Sequence, residues 1–179
     1  MIAAGVVVLL VIMGVSGYNN LVQMNENVNG KWSQVENQLQ RRADLIPNLV
    51  ASVKGAAAQE RQLIQSVTDA RAKLAGAQGP AAKGQADAEL GGALSRLLVV
   101  VENYPALKTD QNFRQLTDEL AGTENRIAVA RKDYNDAVQV FNAKIQSFPT
   151  VIYSRILGFG PKEYFKAAAG AEKVPEVKF

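Results

Sequence analysis

The chain has 179 residues, of which 47% are hydrophobic and 21% charged, and it contains neither cysteine nor histidine. This composition excludes disulfides, cysteine–histidine zinc sites, thiol nucleophiles and histidine-based catalytic triads. The formal net charge is +3, and acidic residues are interleaved with the basic ones. The sequence therefore lacks the stripe of basic residues that is typical of nucleic-acid-binding proteins.

The first 17 residues, Met1 to Gly17, form an apolar run without a charged side chain. At 1.5 Å per residue, a helix of this length covers about 26 Å, close to the hydrocarbon thickness of a bilayer. The run therefore predicts a single-pass membrane anchor with the lipid bilayer as partner. One alternative is a cleaved signal peptide, although no basic residue precedes the run. The other is a helix buried in an assembly.

The residues predicted to form this membrane or assembly helix are Ile2, Val6, Leu9, Leu10, Ile12 and Met13. Alanines and glycines between them allow neighbouring helices to approach closely, which predicts a homo-oligomer. Positive charge beyond the end of a span favours the cytoplasmic side. Lys31, Arg41 and Arg42 follow the run, so the sequence leans toward a cytoplasmic body.

Apolar residues at spacings of three, four and seven predict four amphipathic helices after the anchor. The predicted ranges run from the anchor to about 45, then 48–77, 85–103 and 110–147. Pro47 is expected to interrupt the first helix in a turn or kink at 45–48, because proline cannot donate a helical hydrogen bond. A Gly- and Pro-rich breaker at 76–84 separates the second helix from the third. Thr109 or Asp110 is the predicted N-cap of the fourth helix.

A short apolar segment at 151–157 follows, and the remaining residues predict a short helical turn and a loose tail. Together the elements predict an all-α fold in which an N-terminal transmembrane helix continues into an antiparallel up-and-down four-helix bundle. The predicted domains are 1–17 (transmembrane or assembly helix), 18–148 (bundle) and 149–179 (short helical segments and tail). The predicted bundle core is Trp32, Val35, Leu39, Ile64, Leu97, Tyr104, Leu116, Leu120, Tyr134 and Phe141.

The most conspicuous polar motif is the predicted turn that contains Arg41, Arg42, Asp44, Pro47 and Asn48. An arginine fork binds carboxylates and phosphates, so this turn is a candidate interaction site for a partner, a lipid phosphate or a neighbouring subunit. The alternative is an ion pair between helices that fixes the turn. No nucleophile, phosphate cradle or metal-ligand cluster accompanies the motif. The sequence therefore predicts no catalytic, cofactor or metal site, and disfavours an enzyme.

Several ordered motifs resemble those of the LemA family, among them Tyr18 to Val22 (YNNLV), Gln40 to Val50 (QRRADLIPNLV), Glu102 to Pro105 (ENYP) and Thr123 to Ile127 (TENRI). The resemblance extends from the anchor to about Tyr164. It implies a bacterial protein with an N-terminal membrane helix, a four-helix bundle and no established enzymatic activity. The genes of some members lie near that of a membrane metalloprotease, which implies by association that this protease is a candidate envelope partner.

These features predict a non-enzymatic scaffold or adaptor of the bacterial envelope that is anchored in the membrane and self-associates. The alternative is a membrane-shaping, coat-like assembly protein. An enzyme is the third and least favoured hypothesis.

Overall fold

Six α-helices make up the described part of the chain, which in this computed structural model is residues 2–166. Side chains are described for residues 5, 12, 14–55 and 57–166. The helices are α1 (Ile2–Ala56), α2 (Arg61–Gly76), α3 (Gly79–Val101), α4 (Pro105–Thr109), α5 (Gln111–Gln146) and α6 (Thr150–Ser154). No strand occurs within 2–166, and the all-α prediction is confirmed.

The four long helices run alternately up and down. Helices α1 and α5 lie along each other as an antiparallel pair, in which Lys31 binds Asp133 and Arg41 binds Glu119. Helices α2 and α3 form a second antiparallel pair, which packs against the C-terminal half of α1. The N-terminal half of α1 and the C-terminal half of α5 are covered instead by α6 and the segment that follows it.

The core fills the seam between α1 and α5 and extends into the α2–α3 pair. The predicted core residues that are buried are Val35, Leu39, Ile64, Leu97, Leu120, Tyr134 and Phe141. The other three, Trp32, Tyr104 and Leu116, are half-buried and pack against this core. The rings of Trp32 and Tyr134 are 5.2 Å apart between centroids, so aromatic packing joins α1 to α5 at this level.

Helix α1 continues through Pro47, so the boundary between two helices predicted at 45–48 is wrong. A proline cannot donate to the carbonyl four residues earlier, which here belongs to Ala43. Arg71 of α2 provides the missing donor, because its Nε donates to the Ala43 carbonyl oxygen at 2.8 Å. The helix therefore tolerates Pro47 through a hydrogen bond from a neighbouring helix.

The first helix break lies after Ala56, so the predicted second helix at 48–77 is divided between α1 and α2. The breaker predicted at 76–84 is also shorter than expected, since α3 begins at Gly79. Pro80 lies in the first turn of α3, where a proline's missing N–H costs no helical hydrogen bond. Helix α4 was not among the predicted elements.

Helix α5 agrees with the predicted range 110–147 to within one residue at each end. Of the two predicted N-caps, Thr109 and Asp110, the structure has Asp110, whose side chain accepts a hydrogen bond from the Phe113 amide at 2.7 Å. This cap satisfies one of the amide donors that the first turn of a helix leaves free.

Residues 161–166 form an extended strap along α5 rather than a helical turn and a loose tail. Asn142 donates to the Lys162 carbonyl at 2.9 Å and accepts from the Lys162 amide at 2.8 Å. Asn135 makes the same pair of bonds with Phe165, at 3.0 and 2.9 Å. An asparagine side chain offers the donor and acceptor of a peptide group, so the strap is held as a strand would be. The rest of the predicted tail, 167–179, lies outside the described residues.

Exchange of Arg71 for methionine is expected to lower the free energy of unfolding by about 1–3 kcal/mol, since it leaves the buried Ala43 carbonyl without a donor. Pro47→Ala restores a backbone donor to that carbonyl, so the same exchange should cost less in the Pro47→Ala background. A double-mutant cycle by urea unfolding measures the difference. Equal costs in both backgrounds would show that Arg71 does not replace the donor that Pro47 lacks.

The strap also depends on Gly84 of α3. A Cβ at Gly84 would lie 2.5 Å from the Lys166 carbonyl oxygen and 3.3 Å from Cε1 of Phe165. We expect Gly84→Ala to destabilise the fold by about 1–3 kcal/mol through overpacking. Gly92→Ala on the same helix meets open space and should stabilise by up to about 1 kcal/mol through helix propensity. Thermal unfolding compares the two, and a stabilising Gly84→Ala would contradict the close packing of the strap.

Candidate functional site

Arg42 lies at the centre of an ion cluster between α1, α3 and α5. The residue is 5% exposed. Its Nη1 donates to Oδ1 of Asp87 at 2.9 Å and lies 2.5 Å from Oε2 of Glu124. Asp87 is buried as well, whereas Glu124 is exposed. One arginine thus connects three helices.

The burial of this cluster alters the proton affinity of Asp87. Burial raises the pKa of the Asp87 carboxyl above its ordinary value, and the charge of Glu124 raises it further, while Arg42 and Arg131 act in the opposite direction. Arg42 therefore favours the charged form of a carboxylate that its surroundings would otherwise neutralise.

The other residues of the predicted interaction turn are exposed on α1: Arg41, Asp44, Pro47 and Asn48. Arg41 binds Glu119 of α5 at 3.2 Å. Asp44 accepts from Gln40 at 2.7 Å, one helical turn earlier. Because consecutive helical residues point about 100° apart, Arg42 faces the core while Arg41 faces solvent. The motif is therefore a helix surface with one buried member.

A surface depression of about 590 Å³ lies beside Arg41. Its charged lining comes from Arg41 and from Arg114, Asp118, Glu119 and Arg126 of α5. Both signs of charge are present. Within 2–166, no group of three or more acidic side chains is close enough to hold a metal ion. The depression thus offers neither a metal site nor an arrangement of nucleophile and base.

Four large apolar side chains are exposed around α6. Phe148 and Ile156 are 81% exposed, Ile152 is 59% exposed and Leu157 is 45% exposed. Ile152, Ile156 and Leu157 belong to the apolar segment predicted at 151–157. The sequence of this segment does not indicate which of its side chains are buried and which are exposed. Contiguous exposed apolar surface typically marks an interaction site with a protein or a membrane.

These side chains lie where the apolar N-terminal run of α1 joins the bundle. A Cβ on Gly17 would collide with the Tyr153 hydroxyl, and the rings of Tyr18 and Phe159 are 6.0 Å apart between centroids. We define the apolar end of the bundle as Ile12, Val15, Phe148, Ile152, Ile156 and Leu157, all of which are exposed.

Among the predicted anchor residues, Ile12 is exposed. The side chains of the others lie outside the described residues: Ile2, Val6, Leu9, Leu10 and Met13. Within the described residues, no helix is both long and apolar enough to cross a membrane.

Comparison with known proteins places this chain in a family. The LemA family model matches residues 31–179. The magnetosome proteins MamQ 1 and MamQ 2 of Paramagnetospirillum magneticum are each 31% identical over 175 residues. The magnetosome protein MamQ of Magnetospirillum gryphiswaldense is 29% identical over 174 residues. Each match covers 83% of this chain but 64% of the relative, so the chain spans less than two thirds of these relatives' length. The chain belongs to the LemA family.

Proposed function

We propose that this protein is a non-enzymatic scaffold that is attached to the bacterial membrane through residues 1–17. The observation that carries the proposal is the continuity of α1, which runs as one helix from Ile2 to Ala56. The apolar run and the bundle therefore share one stiff element. Insertion of the run into lipid would hold the bundle directly at the membrane surface.

The described side chains support a scaffold rather than an enzyme. Arg42 forms its ion pairs with Asp87 and Glu124 within the bundle, and the depression beside Arg41 is lined by charges of both signs. The relatives are named as magnetosome proteins, that is, by a cellular structure rather than by a reaction. By analogy, we propose that this chain also serves a larger assembly.

Flotation of the full-length chain with lipid vesicles tests the attachment. We expect the chain to float with the vesicles and to remain bound in high salt, because an apolar segment is retained by burial rather than by charge. Leu9→Lys combined with Leu10→Lys should abolish flotation. Gln34→Lys combined with Asn37→Lys adds the same charge on exposed positions of α1 and should float normally. A native chain that stays in the soluble fraction would contradict the attachment.

Self-association is the second part of the proposal, and the small residues of the apolar run support it. The mass of the particle in mild detergent, measured by light scattering, should be several times that of one chain. Leu9→Lys with Leu10→Lys should reduce it to a single chain. A single-chain mass for the native protein would contradict self-association, while large ordered assemblies that deform vesicles would favour the coat-like alternative.

The side of the membrane and the partner are proposed from the sequence alone. Lys31, Arg41 and Arg42 after the apolar run favour a cytoplasmic bundle. Protease treatment of spheroplasts should therefore leave the bundle intact, and digestion of the bundle would place it on the outer side of the membrane.

A membrane protease as partner is implied only by the family resemblance, and co-purification with such a protease from detergent extracts tests it.

A further inference from the structure

We propose that four residues of the apolar end, Phe148, Ile152, Ile156 and Leu157, form a second membrane contact, which enters the interface of an anionic bilayer. The inference rests on the proposed attachment through residues 1–17. It adds a surface of the bundle itself to that attachment, and it names the class of lipid that this surface selects.

The four side chains flank or belong to α6, and each is between 45% and 81% exposed. Nearby aromatic residues of the same segment are turned inward, since Tyr153 and Phe159 pack against the core. The segment therefore divides its apolar residues between the core and the outside. Exposed apolar area on this scale is unfavourable in water and is stabilised by transfer to a lipid interface.

The α6 segment contacts α1 at Gly17 and Tyr18, where the apolar run ends and the polar residues Asn19 and Asn20 begin. If the run occupies the hydrocarbon layer, this level coincides with the membrane interface, where tyrosines and amphipathic segments collect. The four apolar side chains would then lie at the depth that suits them.

The sequence has no aspartate or glutamate before Glu26, and none between Asp136 and Glu163. The basic residues within the second interval are Lys144, Arg155 and Lys162. The two sequence intervals that contain the apolar end thus carry only basic charged side chains, which attract anionic lipid headgroups.

The opposite end of the bundle provides a contrast. There Glu60 and Glu102 accompany Arg61 and Lys108, so both signs of charge are present. A general excess of basic residues therefore does not explain the single sign at the apolar end. The combination of apolar exposure, interfacial level and positive charge favours a bilayer over a protein as the occupant.

Single cysteines test the contact cleanly, because the chain has no cysteine of its own. The full-length chain carries a polarity-sensitive fluorophore at Ile156→Cys, Val15→Cys or Val99→Cys. It is reconstituted into vesicles of phosphatidylcholine and phosphatidylglycerol. We expect the emission at positions 15 and 156 to rise several-fold, shift to the blue and be quenched by a lipid-borne quencher. Val99 is 70% exposed on α3, and a label there should remain unchanged.

The outcomes separate this inference from the proposed attachment. A response at position 15 without one at 156 would leave the attachment standing and overturn the second contact. No response at either position would overturn both. A blue-shifted response at 156 that the lipid-borne quencher does not quench would indicate a protein contact and overturn the lipid assignment.

The lipid class has its own test. Arg155→Gln combined with Lys144→Gln should weaken the response at position 156 several-fold in vesicles that contain phosphatidylglycerol, and leave it unchanged in pure phosphatidylcholine. Equal responses of the native chain in the two lipids would overturn the anionic preference. Unchanged thermal unfolding of each labelled variant confirms that the exposed positions tolerate substitution.

Discussion

Exchange of Arg42 for methionine is expected to lower the free energy of unfolding by about 3–5 kcal/mol, because it leaves the buried Asp87 carboxylate without its partner. Arg41→Met removes the neighbouring, exposed ion pair with Glu119 and should cost no more than about 1 kcal/mol. The two variants carry the same chemical change at adjacent positions. Urea unfolding at pH 7 compares them, and equal losses would contradict the assignment of burial as the cause.

The loss at Arg42→Met should depend on pH. Burial raises the pKa of Asp87 already in the native protein, and Arg42 opposes that rise, so its removal raises the folded-state pKa further. The unfolded chain retains the ordinary value of about 4. The stability that such a group contributes is fully present below its pKa in the unfolded chain. It is lost as the pH rises through its pKa in the folded protein. The deficit should therefore be smaller at pH 5 than at pH 7, and a larger deficit at pH 5 would contradict this sign.

A compensating variant separates lost attraction from an uncompensated charge. Asp87→Leu in the Arg42→Met background replaces the buried pair by apolar side chains, which is often neutral or stabilising in a protein interior. Glu124 is exposed and can remain in water. We expect the double variant to recover most of the stability that Arg42→Met loses. A double variant as unstable as the single one would mean that the charges themselves hold the three helices together.

Truncation of Phe165 to alanine should cost about 3–5 kcal/mol, although the residue lies in a segment without helix or strand. Phe165 is 2% exposed, and its ring lies 6.3 Å from the Trp32 ring and 6.0 Å from the Arg131 guanidinium carbon. The neighbouring Tyr164 is exposed, and Tyr164→Ala should change stability by less than about 0.5 kcal/mol. Guanidinium unfolding measures both.

Hydrogen exchange adds a local readout for Phe165→Ala. The amides of Lys162 and Phe165 are bound by Asn142 and Asn135, so they should be protected in the native chain. Phe165→Ala should accelerate hydrogen exchange at both amides, whereas amides in the middle of α5 should remain protected. Fast exchange at Lys162 and Phe165 in the native protein would contradict the strap.

Burial raises the pKa of Tyr134 to about 12. The Tyr134 hydroxyl therefore stays protonated at the pH of these measurements and donates to the Glu163 carbonyl of the strap.

Local pattern was sufficient to predict the extent of α5 and the face that it buries. The stripe of Phe113, Leu120, Ile127, Tyr134 and Phe141 recurs every seven residues, so it fixes both the extent of α5 and the face that is buried. Asp110 as N-cap follows from a local rule as well. In each case the deciding interaction lies within one or two helical turns.

Features that depend on distant residues could not be predicted in this way. The donor for the Ala43 carbonyl lies 28 residues away on α2, so Pro47 was interpreted as the end of a helix. The bond between Arg42 and Asp87 spans 45 residues, and nothing in the motif distinguishes Arg42 from Arg41. The strap depends on Asn135 and Asn142, whose polar side chains are typical of any solvated helix face.

Carbonate extraction of bacterial membranes that contain the full-length chain is the most direct test of membrane attachment. Alkaline carbonate removes proteins held by surface charge and leaves those held by inserted apolar segments. The proposed function requires the native chain to remain in the membrane pellet and Leu9→Lys with Leu10→Lys to be released. Release of the native chain together with that variant would contradict an inserted N-terminal segment.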